Sequence, residues 1–284
     1  PEVNILYWKN LTINYSGNSQ LVNWVNATGT TPRGEFHAEN VTANVTGTLL
    51  GSNILYFNDI SSVVWDGGSI DKDNGTSAIF GFDNVVSYVS ITDATINSDN
   101  TADGSNNIYF ADAGTCPYAR ISGNTITKWY RAILFSVGDF DPGRIIIENN
   151  TISGSTQNCI ILGREAGAGA TANVIYGPRI VGNSITHPTG AAGHCMLIGT
   201  NVQGGEIAYN TCVQNKADDW GIVLKGGNIA CHHNIVTGPH SLYISGSRGC
   251  LVTNNSCYNG GTALPALKVA DNQDSTTPIN NEIY

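Results

Sequence analysis

Short apolar runs alternate with small polar residues along the whole chain, and they recur in a fixed form. "ISGNTIT" begins at Ile121, "IENNTIS" at Ile147, "IVGNSIT" at Ile180 and "IAYNTCV" at Ile207. Looser copies follow as "CHHNIVT" at Cys231, "VTNNSCY" at Val252 and "INNEIY" at Ile279. With the asparagine as marker, Asn124, Asn150, Asn183, Asn210, Asn234, Asn255 and Asn281 are separated by 26, 33, 27, 24, 21 and 26 residues. Upstream the marker changes but the rhythm persists, through Leu11, Val41, Gly68 and Ala94. A period in the 20–50 range predicts a solenoid.

A second run sits inside each period: "ILYF" at Ile54, "IFGF" at Ile79, "IYFA" at Ile108, "ILFS" at Ile133, "IILG" at Ile160, "MLIG" at Met196, "IVLK" at Ile222, "LYIS" at Leu242 and "LKVA" at Leu267. Each repeat therefore predicts at least two short strands, and none carries a helical stripe. Leucine-rich repeats share the L-x-x-N-x-L core, but Pro178 and Gly205 occupy positions where that repeat needs further leucines, and the steps are too ragged for a horseshoe. A parallel β-helix tolerates uneven turns, because a long one bulges outward from a constant coil. The expectation is an all-β chain, residues 1–284 forming one right-handed parallel β-helix domain of 10–11 coils, part of a longer chain or fibre. Ile121, Ile147, Ile180 and Ile207 should stack in one interior column, and Ile126, Ile152, Ile185 and Cys212 in another. The marker asparagines should sit at the corner between them, tolerating left-handed φ and bonding amide to amide from coil to coil.

Charged residues are only 12% of the chain, against 41% hydrophobic residues and 33 glycines, which suits a folded, turn-rich protein. The formal charge of -9 argues against nucleic acid or an anionic membrane as partner. No apolar run is long enough to span a bilayer. The seven cysteines follow no zinc spacing and read as buried apolar residues, with one or two disulfides left open.

On these repeats the chain resembles the pectate-lyase-like superfamily of parallel β-helices, which includes polysaccharide lyases, glycoside hydrolases, uronan epimerases and bacteriophage tailspikes. The resemblance implies the fold, a polysaccharide as partner and an extracellular or virion-surface location. It carries over no catalytic residue, because none of the signatures of particular lyase or epimerase families is present.

Candidate sites follow from residues that should align between coils. Taking the first residue of each second run as inward, the next one makes an outward apolar stripe: Leu55, Phe80, Tyr109, Leu134, Ile161, Leu197, Val223 and Tyr243, ending at Lys268. Such a stripe needs a cover, either another domain or copies of the chain in a homotrimer. Asp112, Asp139, Asp141 and Glu165 form an acidic group whose members could meet the carboxylate spacings of glycosidases. A second constellation joins Arg164, His194, Asp218, Asp219 and Lys225. Lys225 interrupts a column read as Phe82, Ala111, Ser136, Gly163, Gly199, Ser245 and Ala270. Lysine or arginine can serve as the base of a lyase, sometimes with Ca2+ held by aspartate. No cofactor motif is evident otherwise, and His232 and His233 read as corner residues rather than metal ligands. Trp129, Tyr130, Trp220 and Tyr243 offer rings for sugars. Three functions remain open: a tailspike-type solenoid that binds a surface polysaccharide, with or without cleaving it, a secreted monomeric lyase, hydrolase or epimerase, and a non-catalytic structural or adhesive solenoid.

Overall fold

A computed structural model describes residues 4–25, 33–47, 53–73, 78–98, 106–111, 116–136, 144–163, 174–187, 192–259, 265–270 and 282–283, with the backbone alone for residues 84, 85, 128, 129, 282 and 283. The described residues are all strand, turn and bend, without a helix. Among the described residues every pairing is parallel, and strand segments of successive coils stack on three faces, with one short extra pair, Ile175–Tyr176 and Val202–Gln203, beside them.

The first interior column, on the first face, runs through Trp8, Ala38, Trp65, Ile91, Ile121, Ile147, Ile180, Ile207, Cys231 and Val252. After the corner, the second face stacks Ile13, Ala43, Ile70, Ile96, Ile126, Ile152, Ile185, Cys212, Val236 and Cys257. Both columns are the ones the repeat predicts. The third face supplies two interior columns. One of them is a ring ladder, Phe57, Phe82, Phe110 and Phe135, with centroids 5.8, 4.6 and 4.1 Å apart. Near-parallel offset rings of this kind add about 0.5–1.5 kcal/mol per pair beyond their burial.

The corner between the first two faces explains the doubled asparagine of "IENNTIS", because its two amides have different tasks. Asn150, like Asn124, Asn183, Asn210 and Asn234, has ordinary φ and lies buried, while Asn255 is half-buried. Its Nδ2 donates to Ile121 O on the preceding coil at 2.9 Å and to Asn183 Oδ1 on the next at 2.9 Å. Its Oδ1 accepts from the backbone N–H and the Nδ2 of Asn124, both at 3.0 Å. The ladder continues through Asn183, Asn210 and Asn234 to Asn255. It begins where Ala94 N donates to Asn124 Oδ1 at 3.0 Å.

The left-handed residue is not the marker asparagine, as expected from sequence, but the residue before it. That position holds Asn10, Asn40, Gly67, Asp93, Gly123, Asn149, Gly182, Tyr209, His233 and Asn254, with φ from 50 to 70°. The chain reverses one residue before the ladder, so the turn and the amide column do not compete for one side chain. At Gly123 the preceding coil's side chain leans over the corner, and a Cβ there would meet Asp93 Oδ1 unless that carboxylate moved aside.

The outer surfaces differ. The second face carries an outward hydroxyl column over eight coils, Thr12, Thr42, Ser69, Thr95, Thr125, Thr151, Ser184 and Thr211, exposed except at the half-buried Thr42 and Ser69. The first face carries a charge ladder in which Arg120 pairs with Glu148 at 2.7 Å, and Arg179 bridges Glu148 and Glu206 at 3.2 Å each. All seven cysteines are free, six of them buried and Cys257 partly so. Burial raises the thiols of Cys116, Cys159 and Cys231, which keeps them protonated and inert.

Candidate functional site

The third face positions the site. Its outward stripe is real from Tyr109 onward: Tyr109, Leu134, Ile161, Leu197, Val223, Tyr243 and Lys268 stand in register. In the two earlier coils the register is one residue later than the sequence suggests. Leu55 and Phe80 align with Ile108 and point into the core, while Tyr56 and Gly81 hold the outward places. By the same shift Phe82 is interior. Asn58 and Asp83 are paired in the column that leads through Ala111 to Lys225, not in the one assigned to Asp112. Runs such as "ILYF" at Ile54 are apolar at consecutive positions, so no alternation marks which residue faces inward.

Leu134, Ile161, Leu197, Trp220 and Val223 form an apolar cluster of their own, outside the main core, with Tyr109 and Tyr243 packed against it. They are at most 8% exposed within the single chain. Trp220 joins them through a local break in alternation: its neighbour Gly221 faces inward, where a Cβ would collide with Val236 Cγ1. The indole is thereby turned out against His240, 4.3 Å between centroids, and Tyr243, 4.9 Å. Lys268 Nζ lies 5.1 Å from the Tyr243 ring centre. Trp220 is thus wedged between two rings, and Tyr243, Lys268 and His240 bring the cluster to the surface.

His194 and Asp219 form the rim beside Trp220. Their side chains are 17% and 18% exposed, with His194 Nδ1 3.9 Å from Asp219 Oδ1. The Trp220 N–H donates to His194 Nδ1 at 3.0 Å, while Asp219 Oδ2 accepts from Gly193 N at 2.9 Å. The neutral imidazole therefore carries its proton on Nε2. In that tautomer His194 can donate a hydrogen bond from Nε2 but cannot take up a proton at Nδ1 without losing the Trp220 contact. The rim is braced from beneath. Asn158 Oδ1 accepts from His194 N at 2.6 Å, and Gln214 Nε2 donates to Gly193 O at 2.8 Å and Trp220 O at 3.1 Å.

The fold thus brings together His194, Asp219, Trp220 and Tyr243 from the sequence-derived set. Asp218 sits exposed in the turn before them. Lys225 does not join them. It follows the strand Trp220–Leu224 at its far end, five residues from Trp220, roughly 17 Å along an extended chain. Asp112, Asp139, Asp141, Arg164 and Glu165 lie outside the described residues, as does the side chain of Trp129. Tyr130 is capped by Arg131, its guanidinium 4.7 Å from the ring centre. The sequence reading missed His240 and the pairing of Lys268 with Tyr243. Both were legible in principle once the third-face strands were aligned, since His240 stands opposite Trp220. Among the described residues no group of three or more His, Cys, Asp and Glu converges as a metal cage.

Compared with protein-family models, curated proteins and solved structures, the chain matches none. What holds of the pectate-lyase-like resemblance is the architecture, a parallel β-solenoid with a repeat near 27 residues.

Proposed function

We propose that this solenoid engages a polysaccharide on its third face, as a tailspike-type or other surface-associated chain would. The observation that carries the reading is the rim at which an otherwise buried apolar stripe reaches solvent. There, aromatic edges from Tyr243 and Trp220, the donor His194, the acceptor Asp219 and the cation Lys268 stand on adjoining coils. Sugars offer hydroxyls to such donors and acceptors and C–H faces to aromatic surface, and Lys268 suits a uronate carboxylate. The fixed tautomer of His194 favours holding a sugar over abstracting its proton, so binding is the activity assigned to this rim.

The test is binding of the chain to a panel of anionic and neutral polysaccharides, with Tyr243→Ala and Asp219→Asn beside the wild type. Loss of affinity of about tenfold or more in each variant, with unchanged folding, is the expected result. Undiminished binding by both variants overturns the assignment.

A further inference from the structure

We propose that the corner of His232 and His233 is a site for a divalent transition metal that prefers tetragonal coordination, copper(II) or nickel(II). It lies on the first face and does not depend on the polysaccharide reading. Two side chains in the left-handed corner column depart from the glycine, asparagine and aspartate of the other coils, Tyr209 at φ 57° and His233 at φ 55°. Tyrosine rarely accepts that backbone, whereas histidine, like asparagine and aspartate, is enriched there, so Tyr209 is the exception in the column and His233 is set apart by its ring contacts. They are successive in the column and stack on one another, 5.1 Å between centroids with planes 19° apart.

The stacked His233 sets its Nδ1 3.0 Å from Nδ1 of His232. On its other side, His232 Nε2 lies 3.2 Å from Glu206 Oε1. A neutral His232 that donates from Nε2 to this carboxylate leaves a lone pair on Nδ1, facing His233. Carboxylate-backed imidazole is the usual outer support of a metal-bound histidine. Glu206 is itself held by Arg179, which also bridges to Glu148. Without a cation, the two nitrogens must share one proton in a hydrogen bond. With one, both rings must turn out of that hydrogen bond so that their lone pairs converge on a common point. Nitrogens 3.0 Å apart and each roughly 2.1 Å from a metal subtend about 90°, the cis angle of a square-planar or octahedral ion rather than the tetrahedral angle of zinc. Water would complete the coordination, since no third protein ligand converges there among the described residues.

The test titrates the whole chain with copper(II), nickel(II) and zinc(II) chloride by calorimetry, with electron paramagnetic resonance of the copper form. Two variants keep the fold: His233→Asn places at the corner the residue found there at 149 and 254, and His232→Thr copies the next coil. The expected result is one copper ion per chain with two imidazole nitrogens in its spectrum. Affinity should fall about 100-fold or more in either variant and by about 10–100-fold in Glu206→Gln. Equal copper binding by wild type and His233→Asn, a spectrum without imidazole nitrogen, or tighter binding of zinc than of copper would each overturn the proposal.

Discussion

At the scale of single residues, the ladder asparagines hold the coil corners because no other side chain of that size supplies both donors and acceptors along the axis. Asn183 donates to Ile147 O and Asn210 Oδ1 and accepts from the backbone and side chain of Asn150. Replacing it by alanine strands the Asn150 donors and the Ile147 carbonyl in a buried corner. Each such group costs about 1–3 kcal/mol, so Asn183→Ala should lose about 3 kcal/mol or more by chemical denaturation. A loss under 1 kcal/mol would mean that the ladder merely accompanies the fold. Tyr209 poses the opposite case. Asparagine suits the left-handed corner better than tyrosine, so Tyr209→Asn should gain about 1 kcal/mol in the same measurement; a loss would show that stacking on His233 outweighs the backbone strain. The sequence displayed the ladder plainly, because it repeats at every coil. The division of labour between Asn149 and Asn150 was hidden, because asparagine tolerates both places and only φ separates them.

At the scale of strands, the second-face and first-face columns were readable because each strand alternates cleanly, as in Thr125–Ile126–Thr127. The third face was readable only from Tyr109 onward, where the aligned strands share one frame. Trp220 was recognisable as a candidate but its direction was not, since it depends on Gly221 turning inward against Val236. One strand end carries a measurable consequence. Lys72 is fully buried in the second-face column between Val45 and Ser98. Burial lowers its pKa from 10.5 to about 8. The unfolded chain therefore binds the proton more tightly, and the cost of Lys72 is fully present below pH 8 and relieved as the pH rises toward 10.5. Lys72→Met should be the more stable protein at pH 7, by on the order of 1–3 kcal/mol, with the advantage shrinking between pH 8 and 10. An advantage that stays constant over that range would place the Lys72 ammonium in a better-solvated setting.

At the scale of the whole molecule, the solenoid gives each outer face a separate character on one rigid core. The first carries paired charges and the histidine corner, and the second an uncharged hydroxyl column. The third carries a largely buried apolar stripe that surfaces at the His194–Asp219 rim. The proposed polysaccharide contact belongs to the third alone. The most direct test is hydrogen exchange of the backbone with and without the polysaccharide that binds best from the panel. Protection confined to residues 192–196, 217–224, 240–245 and 265–270 is the predicted result. Protection centred on the first or second face, or none with any polysaccharide that binds, would contradict the account.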